Sequence, residues 1–222
     1  MRRATKIWLI LAASLVAVGL IMIIAAMTAN NWDWSRLDTM KYETNTHEII
    51  ENFDSVSINT NTADIIFLPS DDGSCRVVCY EEEKEKHSVN VKDGDLIIEC
   101  VDTRKWYDRI MIMSFTAPKI TVYLPEGEYG SLCIKASTGA VDIPENFKFE
   151  SIDIDVSTGD VKCLASASGL VKIKTSTGDI CLEEMSAEEI DIAVTTGKIT
   201  ASSISCAGEM KTAVSTGKID LD

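Results

Sequence analysis

Histidine is nearly absent from this chain: only His47 and His87 occur in 222 residues. Neither has a cysteine or carboxylate at the usual ligand spacing in sequence, so no metal site and no cofactor are expected. Basic residues are also scarce, 21 against 35 acidic. Three of the 21 (Arg2, Arg3 and Lys6) hold all the charge of the first 28 residues, which leaves about −17 beyond them. A surface so acidic repels nucleic acid, and nothing resembles a basic groove that tracks phosphates. No cysteine follows the N-terminal apolar run, which excludes a lipoprotein anchor. The nine-residue calcium-binding repeat of secreted toxins is missing as well.

What is present begins with 21 uncharged residues, Ile7 to Met27. As a helix at about 1.5 Å per residue they span about 31 Å, close to the hydrocarbon thickness of a bilayer, about 30 Å. Trp8 at one end and Trp32 and Trp34 beyond the other suit interfacial anchoring. A cleaved signal peptide is the rival reading, but it wants small residues at alternate positions, and Met27 precedes Ala29 where one is needed. The expected organisation is a cytoplasmic N-terminus over 1–6, a transmembrane anchor over 7–27 and a polar juxtamembrane linker over 28–46. Positive charge lies on the short N-terminal side, so the rest of the chain is expected outside the membrane, in a single-pass topology.

The main signal is a repeat. Ser137-Thr138-Gly139 recurs as Ser157-Thr158-Gly159, Ser176-Thr177-Gly178, Thr195-Thr196-Gly197 and Ser215-Thr216-Gly217. The glycines are spaced 19 or 20 residues apart. Lining the segments up on Gly139, Gly159, Gly178, Gly197 and Gly217 aligns apolar residues in columns. Seven before the glycine stand Leu132, Ile152, Val171, Ile190 and Met210; two after stand Val141, Val161, Ile180, Ile199 and Ile219. Alternate strand residues face one way, so these columns predict one interior and a single-stranded parallel β-solenoid, all-β, with regular coils over 132–222. The glycines are its structural repeat turns, because a tight corner can demand positive φ.

Outward columns mostly alternate in charge, as Asp153, Lys172, Asp191 and Lys211 do. The column directly after the glycine disagrees: Asp160, Asp179, Lys198 and Lys218 put like charges together at both ends. A divergent sixth coil is predicted at Val56–Phe67, with Ala63 in place of the glycine. Between Pro69 and Pro125 the period breaks into strand-like runs at Arg76–Tyr80, Val89–Val91, Leu96–Cys100 and Lys119–Leu124, with a hairpin turn at Asp93-Gly94. Residues 47–131 are therefore expected to form an irregular N-terminal part that covers the first regular coil. The run Glu81–Lys86 reads as a solvated loop. The cysteines read as small apolar fillers and free thiols, with a Cys79–Cys100 bridge left open.

Anchor, irregular strands ending in Ile120-Thr121-Val122-Tyr123-Leu124-Pro125, then Ser-Thr-Gly-Asp-Ile/Val coils: this order resembles the bacterial "putative adhesin" β-solenoid family, a domain of unknown function, over roughly residues 47–222. The resemblance implies a parallel β-helix on bacterial cell surfaces, sometimes beside envelope-stress regulators, and it brings no catalytic residues. One departure is that the sequence stops at Asp222 in mid-coil. A solenoid end normally carries a cap, so truncation or a covering partner is expected. The functional expectation is a non-enzymatic, membrane-anchored surface protein, adhesin-like or an envelope scaffold, with a cell-wall or polysaccharide ligand or an envelope protein as partner. The alternative is a regulatory envelope-stress protein binding a membrane sensor, and the third reading is a polysaccharide-acting enzyme. No catalytic residue is assigned, and the ligand stays open.

Overall fold

The computed structural model describes residues 3–29, 31–32, 41–105 and 116–222. Arg2, Trp34 and, within the 28–46 stretch expected as linker, residues 30 and 33–40 lie outside them. The chain divides into two units. In the first, helix α1 runs Arg3–Ala29. Within it Thr5–Ala29, with mean hydropathy 2.8, is long and apolar enough to cross a membrane. The helix stops where Asn31 and Trp32 take φ of 53° and 60°, and the Trp32 N–H returns to the Met27 carbonyl at 2.8 Å. That left-handed reversal satisfies carbonyls the last turn would otherwise leave free.

The second unit is built almost entirely of strands. Its first part comprises β1 (Tyr42–Ile49), β2 (Ser55–Thr62), β3 (Asp64–Pro69), β4 (Cys75–Glu82), β5 (Glu85–Lys92), β6 (Asp95–Asp102) and β7 (Lys119–Leu124). The regular coils follow: β8 (Gly127–Thr138) with β9 (Val141–Ile143), and β10 (Phe147–Thr158) with β11 (Val161–Cys163) and β12 (Ser166–Ala167). Next come β13 (Leu170–Thr177), β14 (Ile180–Glu183) and β15 (Ser186–Ala187), then β16 (Glu189–Ser202) with β17 (Ser205–Cys206), and finally β18 (Met210–Leu221).

Parallel pairing stacks these coils as a solenoid. One face reads β6-β2-β8-β10-β13-β16 and a second β7-β3-β9-β11-β14-β16, with β18 pairing β16 along both. The register places like over like: Val56 on Leu132, Leu132 on Ile152, Ile152 on Val171 and Val171 on Ile190. Those side chains and the next inward column (Ile58, Ile134, Ile154, Ile173 and Ile192) are at most 1% exposed. The predicted columns are the core up to the last coil, where Met210 is half-buried and Ile219 is 38% exposed, and the divergent coil at 56–67 sits in register with the rest.

The corner is a ladder between coils. Gly159 donates its N–H to the Thr177 carbonyl at 2.9 Å, and Gly178 to that of Thr196 at 3.1 Å. Both take positive φ, 149° and 138°, and a Cβ on Gly178 would overlap the carbonyl oxygen of Gly159 beneath it. The column of like charges after the glycine has its own explanation. Asp160 accepts the Asp179 N–H at 2.8 Å, Asp179 accepts the Lys198 N–H at 2.7 Å, and Asp64 accepts the Ala140 N–H at 2.9 Å. Each carboxylate ties its corner to the next coil, and the backbone dipole it faces offsets the repulsion between neighbours.

The irregular part carries an inversion of order. Strands β6 and β7 come later in sequence than β2 and β3, yet they lie on the opposite side of them from β8 and β9. They form an outermost coil beneath the one made first. Its edges are closed by antiparallel strands: β5 on β6, β4 on β7, and β1 on β4. The β5–β6 hairpin turns at Asp93 and Gly94, whose φ are 55° and 90°. Strand β1 starts at Tyr42, inside the stretch expected as linker.

Candidate functional site: a polar cluster inside the capped end

The inward alternation of β4 begins as Cys75, Val77 and Cys79, all buried, and then turns polar at Glu81. After a two-residue turn, β5 sends Glu85 and His87 into the same interior. The solvated loop expected for Glu81–Lys86 is therefore a correction. Glu81, Glu82 and Glu85 are 1%, 7% and 7% exposed. The reason is tertiary: the two strands form the hairpin that caps the solenoid, and its inner face is occupied to the tip.

Glu81 is fully partnered. Its Oε1 accepts from Asn45 Nδ2 at 2.7 Å, and its Oε2 accepts both the His87 backbone N–H and Nδ1 at 2.7 Å. The other imidazole nitrogen lies 2.8 Å from Thr60 Oγ1, on the first coil. Cys79 completes the group: one donor atom each from Cys79, Glu81 and His87 lies within 4.8 Å of the other two. Burial, and secondarily the Glu81 charge, push the Cys79 thiol up to about 12, so it is held as a thiol. Sequence spacing shows no ligand neighbours for His87, yet the hairpin brings to it residues six and eight positions away. Same-face spacing of Cys79 and Glu81 was the available signal; the hairpin that adds His87 was hidden by the charge run. His47 faces inward on β1 without joining the cluster, and its Nε2 has no hydrogen-bond partner.

Beside this group a single guanidinium gathers three carboxylates. Arg104 Nη1 meets Glu82 at 3.2 Å, Nη2 meets Glu85 at 2.8 Å, and Nε meets Asp102 at 2.9 Å. Asn61 adds a hydrogen bond to Glu85 at 3.0 Å. Burial raises the Glu82 pKa, and Arg104 opposes that rise. The bidentate contact with Asp102 holds Arg104 above its ordinary value.

Glu81, His87 and Thr60 share the acid–imidazole–hydroxyl connectivity of a nucleophilic triad. Thr60 is 3% exposed, however, so its hydroxyl presents nothing to a substrate. The outer clefts are shallow. One of about 270 Å³ lies against Tyr129, Lys148, Phe149 and Ser166, and another of about 350 Å³ continues past Ser186 and Ser205. Both follow the third face, where the short strands β12, β15 and β17 lie. Gly139, Gly159, Gly178, Gly197 and Gly217 are gathered in one corner column, in the stack of coils rather than in the cluster. All seven cysteines are free, Cys79 and Cys100 included.

Residues 53–222 match the toastrack family, DUF4097. The chain belongs to this family. No curated protein matches it. Solved structures similar to this toastrack chain include a "putative adhesin" from Bacteroides fragilis, 19% identical with TM-score 0.44, matched over 82% of this chain and 97% of that one. A "putative cell adhesion protein" from Clostridium sporogenes is 12% identical with TM-score 0.45, over 82% and 99%. A "putative lipid binding protein" from Parabacteroides distasonis is 13% identical with TM-score 0.34, over 83% and 98%.

Proposed function

We propose that this toastrack protein is a non-enzymatic, membrane-anchored component of the cell surface, adhesin-like or an envelope scaffold, whose ligand is cell-wall polymer or polysaccharide. The observation that carries the reading is the contrast between inside and outside. The triad-like group is sealed, while the outer faces carry side chains stacked in register from coil to coil, an arrangement that suits repeated contacts with a polymer. Helix α1 supplies the anchor. The basic residues before it and the acidic domain after it support an N-terminus in the cytoplasm and a solenoid outside.

Sedimentation of purified residues 31–222 with isolated cell walls and a panel of polysaccharides tests this, at low and moderate salt. Saturable co-sedimentation that survives moderate salt is the expected result. Binding no greater than that of a scrambled acidic control sinks the proposal and turns the search toward a protein partner in the membrane.

A further inference from the structure

We propose that Cys79, Glu81 and His87 hold one divalent transition metal of the zinc type inside the capped end of the solenoid. This inference is independent of what the outer faces bind. Three features of the cluster lead to it.

The first is the donor set. A thiolate, an imidazole nitrogen and a carboxylate oxygen are the ligands zinc takes, whereas calcium and magnesium prefer oxygen alone. Here one of each converges at a point where the three residues are 0%, 1% and 5% exposed. The second feature is charge. A divalent ion with one thiolate, one carboxylate and a neutral imidazole sums to zero, which removes the net negative charge a lone Glu81 carboxylate brings into the interior.

The third feature is the surrounding shell. A metal-bound histidine commonly donates its other ring N–H to an oxygen, and bound carboxylates are themselves hydrogen-bonded. Thr60 Oγ1 sits 2.8 Å from His87 Nε2, Asn45 holds Glu81 Oε1, and the His87 backbone N–H holds Glu81 Oε2. The metal-facing nitrogen is then Nδ1. Its contact with Glu81 is 2.7 Å, shorter than the separation of about 3.3 Å that ligands keep around a tetrahedral ion with bonds of about 2.0–2.1 Å. The imidazole and carboxylate part by less than about 1 Å to admit the ion. Binding forms metal–sulfur, metal–nitrogen and metal–oxygen bonds. It expels the Cys79 thiol proton to solvent and displaces the Nδ1 proton, which leaves for solvent or, where Nε2 is bare, is taken up there. One ring proton then sits on Nε2, aimed at Thr60.

The full chain, purified in detergent from cells grown with added zinc or added cobalt, tests the site, because loading during folding avoids the barrier of a closed interior. Metal analysis is expected to give one zinc per chain, and the cobalt form to show thiolate-to-cobalt charge-transfer absorption. Cys79→Ser removes the absorption and most of the metal, while Cys163→Ser, at an equally buried cysteine, keeps both. Thr60→Val removes only the oxygen facing Nε2 and weakens zinc binding about 10–100-fold. Wild-type chain that carries no metal above background overturns the proposal, as does metal content unchanged by Cys79→Ser. If Cys79→Ser fails to fold, as judged by circular dichroism, Thr60→Val decides: unaltered zinc affinity overturns the site.

Discussion

At the scale of single residues, each corner glycine meets two separate demands, and they differ in cost. Gly178 has φ of 138° and the carbonyl of Gly159 occupies the space a Cβ needs, so a side chain there is strained and also parts two coils. Gly73 has φ of 72° in an exposed turn with no atom near its Cβ position, so only the first demand applies. Gly178→Ala is expected to destabilise the fold by about 3 kcal/mol and Gly73→Ala by about 1 kcal/mol. Thermal and urea unfolding of the two variants, followed by circular dichroism, checks this; equal losses would mean that coil contact plays no part. The glycines were legible in the sequence because five copies share a period. The role of Asp160 and Asp179 was not, since charge counting sees two carboxylates side by side and cannot see the N–H each one faces.

At the scale of elements, the hairpin of β4 and β5 shows where pattern reading ran out. Its strands were visible at Arg76–Tyr80 and Val89–Val91, but the tip, Glu81 to Lys86, has the composition of a surface loop. Only the closed edge of the solenoid makes it an interior, and that edge belongs to strands distant in sequence. Arg104 is the counter-charge that makes the tip tolerable. Burial raises the Glu82 pKa above its ordinary 4.5, so its effect favours the fold at low pH and is lost as pH rises through the folded value. Arg104 limits that loss. Arg104→Met is therefore expected to lower the melting temperature by several degrees near neutral pH, with the difference from wild type shrinking as pH falls toward the unfolded glutamate range. Melting curves across that pH range test the sign. A deficit that grows on acidification would show that Arg104 acts through packing rather than through these carboxylates.

At the scale of the whole solenoid unit, stability is a matter of neighbours. The middle coils have a coil on each side, and their inward residues, such as Ile154 and Ile173, are fully buried. Among the described residues, strand β18 pairs with β16 alone, and its Ile219 and Leu221 are 38% and 55% exposed. Hydrogen exchange read by mass spectrometry is expected to be slowest in β10 and β13 and markedly faster in β18. Protection of β18 equal to that of β13 would mean that its edge is covered in solution. Much of this architecture was legible from the period of 19 or 20 residues, which fixes what stacks on what. The place of β6 and β7 was not, because coil order was inferred from chain order, and here the two differ.

That inversion gives the molecule a direction. Strands β2 and β3 lie between two segments that both follow them in sequence, so no coil can be inserted beneath them by simple duplication without rethreading the path from β3 to β8. Above β8 each coil lies on the one before it, and a duplicated stretch of 19 or 20 residues enters without disturbing any earlier crossing. Repeat number in such a protein is free to drift on one side only, and its length is an inherited variable measured outward from a fixed base.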